Sequence, residues 1–164
     1  LETSMAPMRA NGYAATMRLL GWVLGIALLA AQGNAMASMV IFSAVSGRVL
    51  QAGQPVAGAV VEREFRWAWK EESGKDATTT DAAGEFRLPV IERDSLLGSV
   101  LPHEPMVRQT ILIKHAGKTH KAWLFDKSNY DDNGERKGKP IRLTCRLESQ
   151  PARRGEVFGI CELD

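Results

Sequence analysis

Hydrophobic and polar residues alternate along most of the chain after residue 38, and turn residues recur about every 8 to 12 positions. A period of two is typical of β-strands with one buried face, because successive side chains point to opposite sides of a strand. The pattern predicts a short helix at 92–100 and strands at 40–51, 57–67, 76–81, 84–90, 106–115, 119–126, 140–148 and 157–163. We therefore expect an all-β sandwich of about seven to eight strands.

The first 37 residues follow a different pattern. An almost unbroken apolar run at 19–31 follows Arg18 and precedes Ala-Met-Ala at 35–37. A basic start, a short apolar run and an A-x-A site are the three parts of a secretory signal peptide. A membrane anchor is the alternative, but a spanning helix needs about 20 apolar residues. We expect 1–37 to be an N-terminal extension and cleaved signal peptide, and 38–164 to be a periplasmic or secreted domain.

Charge and composition narrow the function classes. The 21 basic and 19 acidic side chains give a net charge of +2, and 45% of the residues are hydrophobic. This composition fits an ordinary globular domain, and the balanced charge provides no broad basic surface for nucleic acid. We expect no nucleic-acid partner and no membrane contact after signal cleavage.

The two cysteines, Cys145 and Cys161, both lie in the predicted mature domain. An even number of cysteines in an oxidising compartment predicts a disulfide between them. Two unpaired buried thiols are the alternative.

Three strings carry a resemblance to a known domain: SGRVL at 46–50, AGQPVAGAVV at 52–61 and TDAAGEFRL at 80–88. In the third, Asp81 opens a turn, Gly84 takes a positive φ, and Phe86 and Leu88 face inwards. Together the strings resemble the carboxypeptidase regulatory-like domain, with its pattern G-x-V, G-x-P-x-x-G-A-x-V and T-D-x-x-G-x-F-x-L. The resemblance spans about residues 43–90. It implies a transthyretin-like or Ig-like β-sandwich that serves as an accessory or binding module.

Other strings resemble an uncharacterised family of small secreted bacterial proteins. They are FSAVSG at 42–47, LPHEP at 101–105, NYDDNGE at 129–135 and GKPI at 138–141, together with Cys145. This second resemblance implies a shared structure and a shared partner surface, and no chemistry.

Catalytic motifs are missing from the sequence. It contains no G-x-S-x-G and no H-E-x-x-H, since His103-Glu104 is followed by Pro105. The C-terminus also lacks the Tyr-Arg-Gly-Ser string of the transthyretin-like hydroxyisourate hydrolases. We expect a protein that is not an enzyme and has no cofactor.

Two groups of residues leave metal binding open. If Lys114 pairs with Thr119, Ile113 lies opposite His120 on the face of His115, where two imidazoles could approach a zinc ion. Two solvent-facing histidines at a hairpin tip are the alternative. The loop with Asn129, Asp131, Asn133 and Gly134 resembles the start of a calcium loop, but Pro140 occupies the place of the bidentate glutamate.

Aromatic residues provide the strongest signal for binding. Arg63, Phe65, Trp67 and Trp69 fall on one face of a predicted strand. This stripe is either an edge of the core or an exposed contact patch; Arg63 favours the surface, since an unpaired buried guanidinium is unfavourable. We take these four residues as candidate binding residues, together with Asn129, Tyr130 and Asp131 of the charged loop.

The expected function is recognition of another protein in the periplasm. An immunity or inhibitor protein against a toxin delivered there is one specific form, favoured by size and compartment. A glycan or cell-wall binding module that uses Trp67 and Trp69 is an alternative, and a metal-dependent hydrolase is a third.

Overall fold

The computed structural model describes residues 38–94 and 102–164. The predicted signal peptide and residues 95–100 of the predicted helix lie outside this part of the chain. Residues 92–94 do not begin a helix but belong to a strand, Ile91–Asp94. Within the described residues, no helix has the length and apolar character needed to span a membrane.

The described residues form an all-β domain, which confirms the predicted fold class. The two short helical segments are 3-10 turns at Ala68–Lys70 and Gly134–Arg136. The strands are β1 (Ser38–Phe42), β2 (Val45–Gln51), β3 (Gln54–Pro55), β4 (Val60–Trp67), β5 (Glu72–Thr79), β6 (Glu85–Leu88), β7 (Ile91–Asp94), β8 (Val107–His115), β9 (Lys118–Lys127), β10 (Ile141–Arg146), β11 (Ala152–Arg154), β12 (Val157–Gly159) and β13 (Cys161–Leu163).

Two main sheets make up the sandwich. The large sheet has the order β11-β12-β9-β8-β4-β5. The small sheet has the order β13-β10-β2-β3, with β6 also paired to β2, and β1 pairs separately with β7. The β2–β10 pair is parallel, whereas the other pairs among the described strands are antiparallel.

The core is formed by the inward-facing side chains of both sheets. Every second residue along β4, β6 and β8 is buried, as expected for strands with one solvent-facing side. The main contributors are Val45, Val49, Ile141 and Leu143 from the small sheet and Val61, Phe65, Ile111, Ile113 and Trp123 from the large sheet.

The thirteen described strands exceed the predicted seven to eight because long predicted strands are interrupted and short ones were missed. The predicted strand 40–51 is divided at Ser43, whose main-chain N–H is bound by the Glu135 carboxylate, 3.1 Å away, and not by a neighbouring strand. The predicted strand 157–163 is divided at Ile160. β7 forms because residues 91–94 pair with β1, a contact that local sequence does not encode.

The turn predicted at 81–84 is confirmed. Asp81 Oδ1 accepts hydrogen bonds from the main-chain N–H groups of Ala83 and Glu85, at 2.9 and 2.8 Å. Gly84 adopts φ = 71°, a left-handed conformation that glycine takes without steric strain. Phe86 and Leu88 are buried, as the pattern predicted.

The predicted disulfide is also present. Cys145 and Cys161 are direct cross-strand partners on β10 and β13, with their Cα atoms 4.1 Å apart. The bond fixes the C-terminal strand to the edge of the small sheet.

Candidate binding site

Most of the aromatic stripe on β4 lies in the core. β4 is paired on both sides, with β5 and with β8, and its inward face is covered along its whole length. Arg63, Phe65 and Trp67 are only 0%, 5% and 2% exposed. Of the two alternatives for the stripe, the core therefore applies to these three candidate binding residues, because an interior strand of the sheet keeps its inward face buried to its end.

Arg63 is buried because it is paired. Its Nε and Nη2 atoms donate to the two carboxylate oxygens of Asp76, at 2.9 and 2.6 Å, and Nη1 donates to the Pro89 carbonyl at 2.6 Å. The guanidinium also lies over the Phe42 ring, 5.0 Å from its centroid. These contacts replace the water that the cation loses.

Trp69 differs from the residues that precede it. β4 ends at Trp67, and the 3-10 turn at Ala68–Lys70 turns the chain outwards, so Trp69 is only half-buried. Trp69 is therefore the more exposed of the two tryptophans. The His103 ring stacks on its indole with a centroid distance of 4.0 Å and an interplanar angle of 13°. Lys70 Nζ lies over the same indole, 4.1 Å from the centroid.

Tyr130 joins this group from the charged loop. Its hydroxyl accepts a hydrogen bond from Trp67 Nε1 at 2.8 Å and lies 2.9 Å from His103 Nε2. Its ring contacts Trp67 edge-on and His103 at a tilt. Burial raises the pKa of Tyr130, and the hydrogen bond from Trp67 opposes that shift only in part, so the phenol stays protonated at neutral pH. We call Trp67, Trp69, His103 and Tyr130 the aromatic cluster.

Asn129 and Asp131, the other candidate residues of the loop, make contacts within the loop. Asn129 Oδ1 accepts from the Asp131 main-chain N–H at 3.1 Å, and Asn129 Nδ2 donates to the Gly134 carbonyl at 3.4 Å. The Tyr130 carbonyl accepts from the Val40 N–H at 3.0 Å. These bonds set the loop conformation that presents the Tyr130 ring.

A buried polar network lies beneath the loop. Both Glu135 carboxylate oxygens are bonded: Oε1 accepts from Gln109 Nε2 at 2.6 Å, and Oε2 accepts from the Ser43 hydroxyl at 2.6 Å. Lys127 Nζ lies 3.2 Å from Glu135 Oε2 and donates to the Asp131 carbonyl at 2.8 Å. We call Ser43, Gln109, Lys127 and Glu135 the buried network.

The contacts within the network oppose the effect of burial on both of its ionisable groups. Burial acts to raise the pKa of Glu135, but the hydrogen bonds from Ser43 and Gln109 and the charge of Lys127 together keep that pKa below its ordinary value. Burial lowers the pKa of Lys127, while Glu135 opposes the shift. Since Ser43 is fully buried and its hydroxyl is engaged, the network is a support for the loop and does not present a nucleophile to solvent.

Sequence reasoning did not select His103 or the buried network. Gln109 and Lys127 occupy inward positions of β8 and β9, where the alternation requires apolar residues. Their polar side chains at these positions were the signal that could have indicated the buried network. His103, Ser43 and Glu135 each lie in a string that carried the second resemblance, but nothing in those strings indicated that they contact Tyr130 or Lys127.

The structure brings together no metal site from the two candidate groups. The hairpin has the register on which the zinc alternative depended, with Lys114 opposite Thr119 and Ile113 opposite His120. Among the described residues, no three His, Cys, Asp or Glu side chains are grouped closely enough to hold a metal ion. In the calcium-like loop, the Asp131 carbonyl oxygen already accepts a hydrogen bond from the Lys127 ammonium.

One comparison with known proteins gave a match. A family model described as a domain of unknown function, DUF6795, matches residues 45–150. This range contains the whole aromatic cluster and three of the four residues of the buried network. No curated protein and no solved structure matches the chain.

Proposed function

Because the chain belongs to the DUF6795 family, whose description assigns no activity, we propose a function from the chemistry of its surface: the domain binds another protein, with Trp69 at the centre of the contact. We further propose that binding takes place in the periplasm, after removal of the predicted signal peptide. An immunity or inhibitor protein against a toxin delivered there is the specific form that size and compartment favour.

The observation that carries the proposal is the fixed position of a half-exposed tryptophan. Trp69 packs against Trp67 with ring centroids 5.6 Å apart, and His103 stacks on it. Tyr130, itself anchored above the buried network, contacts both Trp67 and His103. A tryptophan already held in one conformation loses little side-chain entropy on binding, and tryptophan is enriched among residues that dominate binding energy.

The surroundings of Trp69 suggest the chemistry of the partner surface. Lys70 adds a positive charge next to the indole. Met106, 55% exposed, adds an apolar side chain, and its carbonyl accepts a hydrogen bond from the Ala68 N–H. A partner with an apolar pocket rimmed by carboxylates would complement this arrangement.

The same geometry favours a protein partner over a sugar. A sugar ring stacks on the open face of an aromatic side chain. Here His103 covers the Trp69 indole at 4.0 Å and Lys70 lies over it at 4.1 Å. With these two groups over its ring, the half-buried Trp69 side chain suits insertion into a pocket better than stacking.

The test compares Trp69→Ala with the matched control Phe158→Ala. Phe158 is another half-buried aromatic with a lysine over its ring, and it lies on β12, three strands from β4 in the large sheet. Each tagged domain is incubated with periplasmic extract of the source cells, and retained proteins are identified by mass spectrometry. We expect at least one protein to be retained by the parent and by Phe158→Ala and lost with Trp69→Ala.

Titration of that protein should then show a loss of at least about 2 kcal/mol for Trp69→Ala, as for an interface hot spot. Thermal melts should show that Trp69→Ala stays folded, because the substitution removes a side chain that is only half-buried and leaves the fully buried rings in place. Equal retention of every protein by the parent and by Trp69→Ala would refute the proposed site.

A further inference from the structure

The outer face of the small sheet carries two arginines with carboxylate partners and two without. The four are Arg48, Arg87, Arg142 and Arg146. Arg48 pairs with Glu85 at 2.6 Å, and Arg146 pairs with Glu162 at 2.9 Å. Within the described residues, the guanidinium groups of Arg87 and Arg142 have no ion-pair or hydrogen-bond partner. Two neighbouring cations without ion-pair partners repel each other, and a bound anion would relieve that repulsion.

The strand register places these two arginines on either side of one serine. Ser46, on the central strand β2, pairs directly with Arg87 on β6 and with Arg142 on β10. Directly paired residues point to the same face, and neighbouring strands lie about 4.8 Å apart. Both arginine side chains are long enough to extend over the Ser46 hydroxyl, so three donors on three adjacent strands can meet at one point.

The same three residues line two grooves in this face. One groove has a volume of about 350 Å³ and extends towards Arg48 and Thr144. The other has a volume of about 490 Å³ and is bounded by Asp132 and Asn133 of the charged loop. Because Ser46, Arg87 and Arg142 belong to both linings, they lie where the grooves meet.

We propose that Ser46, Arg87 and Arg142 form a binding site for a phosphoryl group. A carboxylate has two oxygens, which one guanidinium can saturate, whereas a phosphate monoester offers three oxygens and up to two negative charges. The guanidinium groups of the two arginines and the serine hydroxyl together provide enough hydrogen-bond donors for these three oxygens. The group could belong to free phosphate, to a soluble phosphate ester or to a lipid headgroup, which share this chemistry.

The three carboxylates at the groove walls, Glu85, Asp132 and Asp164, do not form ion pairs with Arg87 or Arg142. Glu85 pairs with Arg48 at 2.6 Å. Asp164 Oδ1 accepts from the Thr144 hydroxyl at 2.9 Å, and Asp132 Oδ2 accepts from Asn133 Nδ2 at 2.9 Å. The three carboxylates limit the space around the two arginines and favour a compact anion that fits between them.

The experiment follows amide NMR shifts of the ¹⁵N-labelled domain during titration with inorganic phosphate and then with phenyl phosphate. We expect saturable shifts around Ser46, and Arg87→Gln or Arg142→Gln should weaken binding about tenfold or more. Arg146→Gln is the matched control, because it removes the same charge from the same face of β10. It should change the affinity less than about twofold.

Cosedimentation with phosphatidylcholine vesicles, with and without phosphatidic acid, identifies a lipid source. Binding that depends on phosphatidic acid and is lost with Arg142→Gln assigns the site to a headgroup. Tighter binding of phenyl phosphate than of phosphate assigns it to a soluble ester, and equal binding assigns it to free phosphate. Absence of all three interactions, with each soluble ligand tested to about 20 mM, or an equal loss with Arg146→Gln, would overturn the proposal.

Discussion

Two fully buried cations, Arg63 and Lys127, are accommodated in different ways. Arg63 pairs with its direct cross-strand neighbour Asp76, whose side chain is 37% exposed. Lys127 pairs with Glu135 from a loop, and both of these side chains are fully buried. If the Arg63–Asp76 pair is broken, water can therefore solvate the Asp76 carboxylate. The Lys127–Glu135 pair is surrounded by protein groups only.

The difference shows what each pair does. The Arg63 pair links β4 to β5 and, through the Pro89 carbonyl, to the segment between β6 and β7. The Lys127 pair fixes the loop that carries Tyr130, and thus supports the aromatic cluster from below. A buried pair is costly to break because the remaining charge has no solvent.

The largest effect is expected from Glu135→Gln. The substitution keeps the shape of the side chain but leaves the Lys127 charge unpaired inside the domain. We expect a loss of about 3–5 kcal/mol in the free energy of unfolding, measured by urea denaturation. Glu156→Gln, at an exposed position, is the control and should be neutral.

A smaller effect is expected from Asp76→Asn. The amide still accepts one hydrogen bond from Arg63, and solvent reaches this position. The free energy of unfolding should fall by about 1.5–3 kcal/mol, as for the loss of hydrogen bonds to charged groups. If the urea midpoint falls as far as it does for Glu135→Gln, the exposure of the carboxylate does not distinguish the two pairs.

The smallest change in the free energy of unfolding is expected on mild acidification. The pKa of Glu135 is lower in the folded domain than in the unfolded chain, where it is near about 4.3. Its contribution is therefore complete above the unfolded pKa and is lost as the pH falls through the folded pKa. The stability difference between the parent and Glu135→Gln should be constant near neutral pH and shrink as the pH falls below the unfolded pKa of about 4.3. A difference that stays constant below that pH would contradict the charged state of Glu135.

Much of the fold could be predicted because its signals are local. The turn at Asp81 and Gly84 follows from residue type and spacing, and alternation located most strands. The disulfide was predicted from the number of cysteines and the expected oxidising compartment. β7 could not be predicted in the same way, because its partner β1 lies about 50 residues earlier and only tertiary pairing makes it a strand.

The candidate site was harder to predict for the same reason. The aromatic residues were visible in the sequence, but the burial of Arg63 depends on Asp76, which only the strand register identifies. His103 was passed over because its stacking on Trp69 joins two distant segments. Residue types indicate which chemical groups are present, whereas long-range pairing determines which of these groups come into contact.

The parallel pairing of β2 with β10 has a consequence for how the chain reaches this state. β2 is the centre of the small sheet, yet its partner appears in the chain roughly a hundred residues later. Closing so long a loop is slow, and such contacts lower folding rates. A ribosome-bound or truncated chain that ends before residue 141 lacks the strand that completes the small sheet. The small sheet is therefore completed only after residues 141–146 have been synthesised, although β2 can pair with β3 and β6 before then.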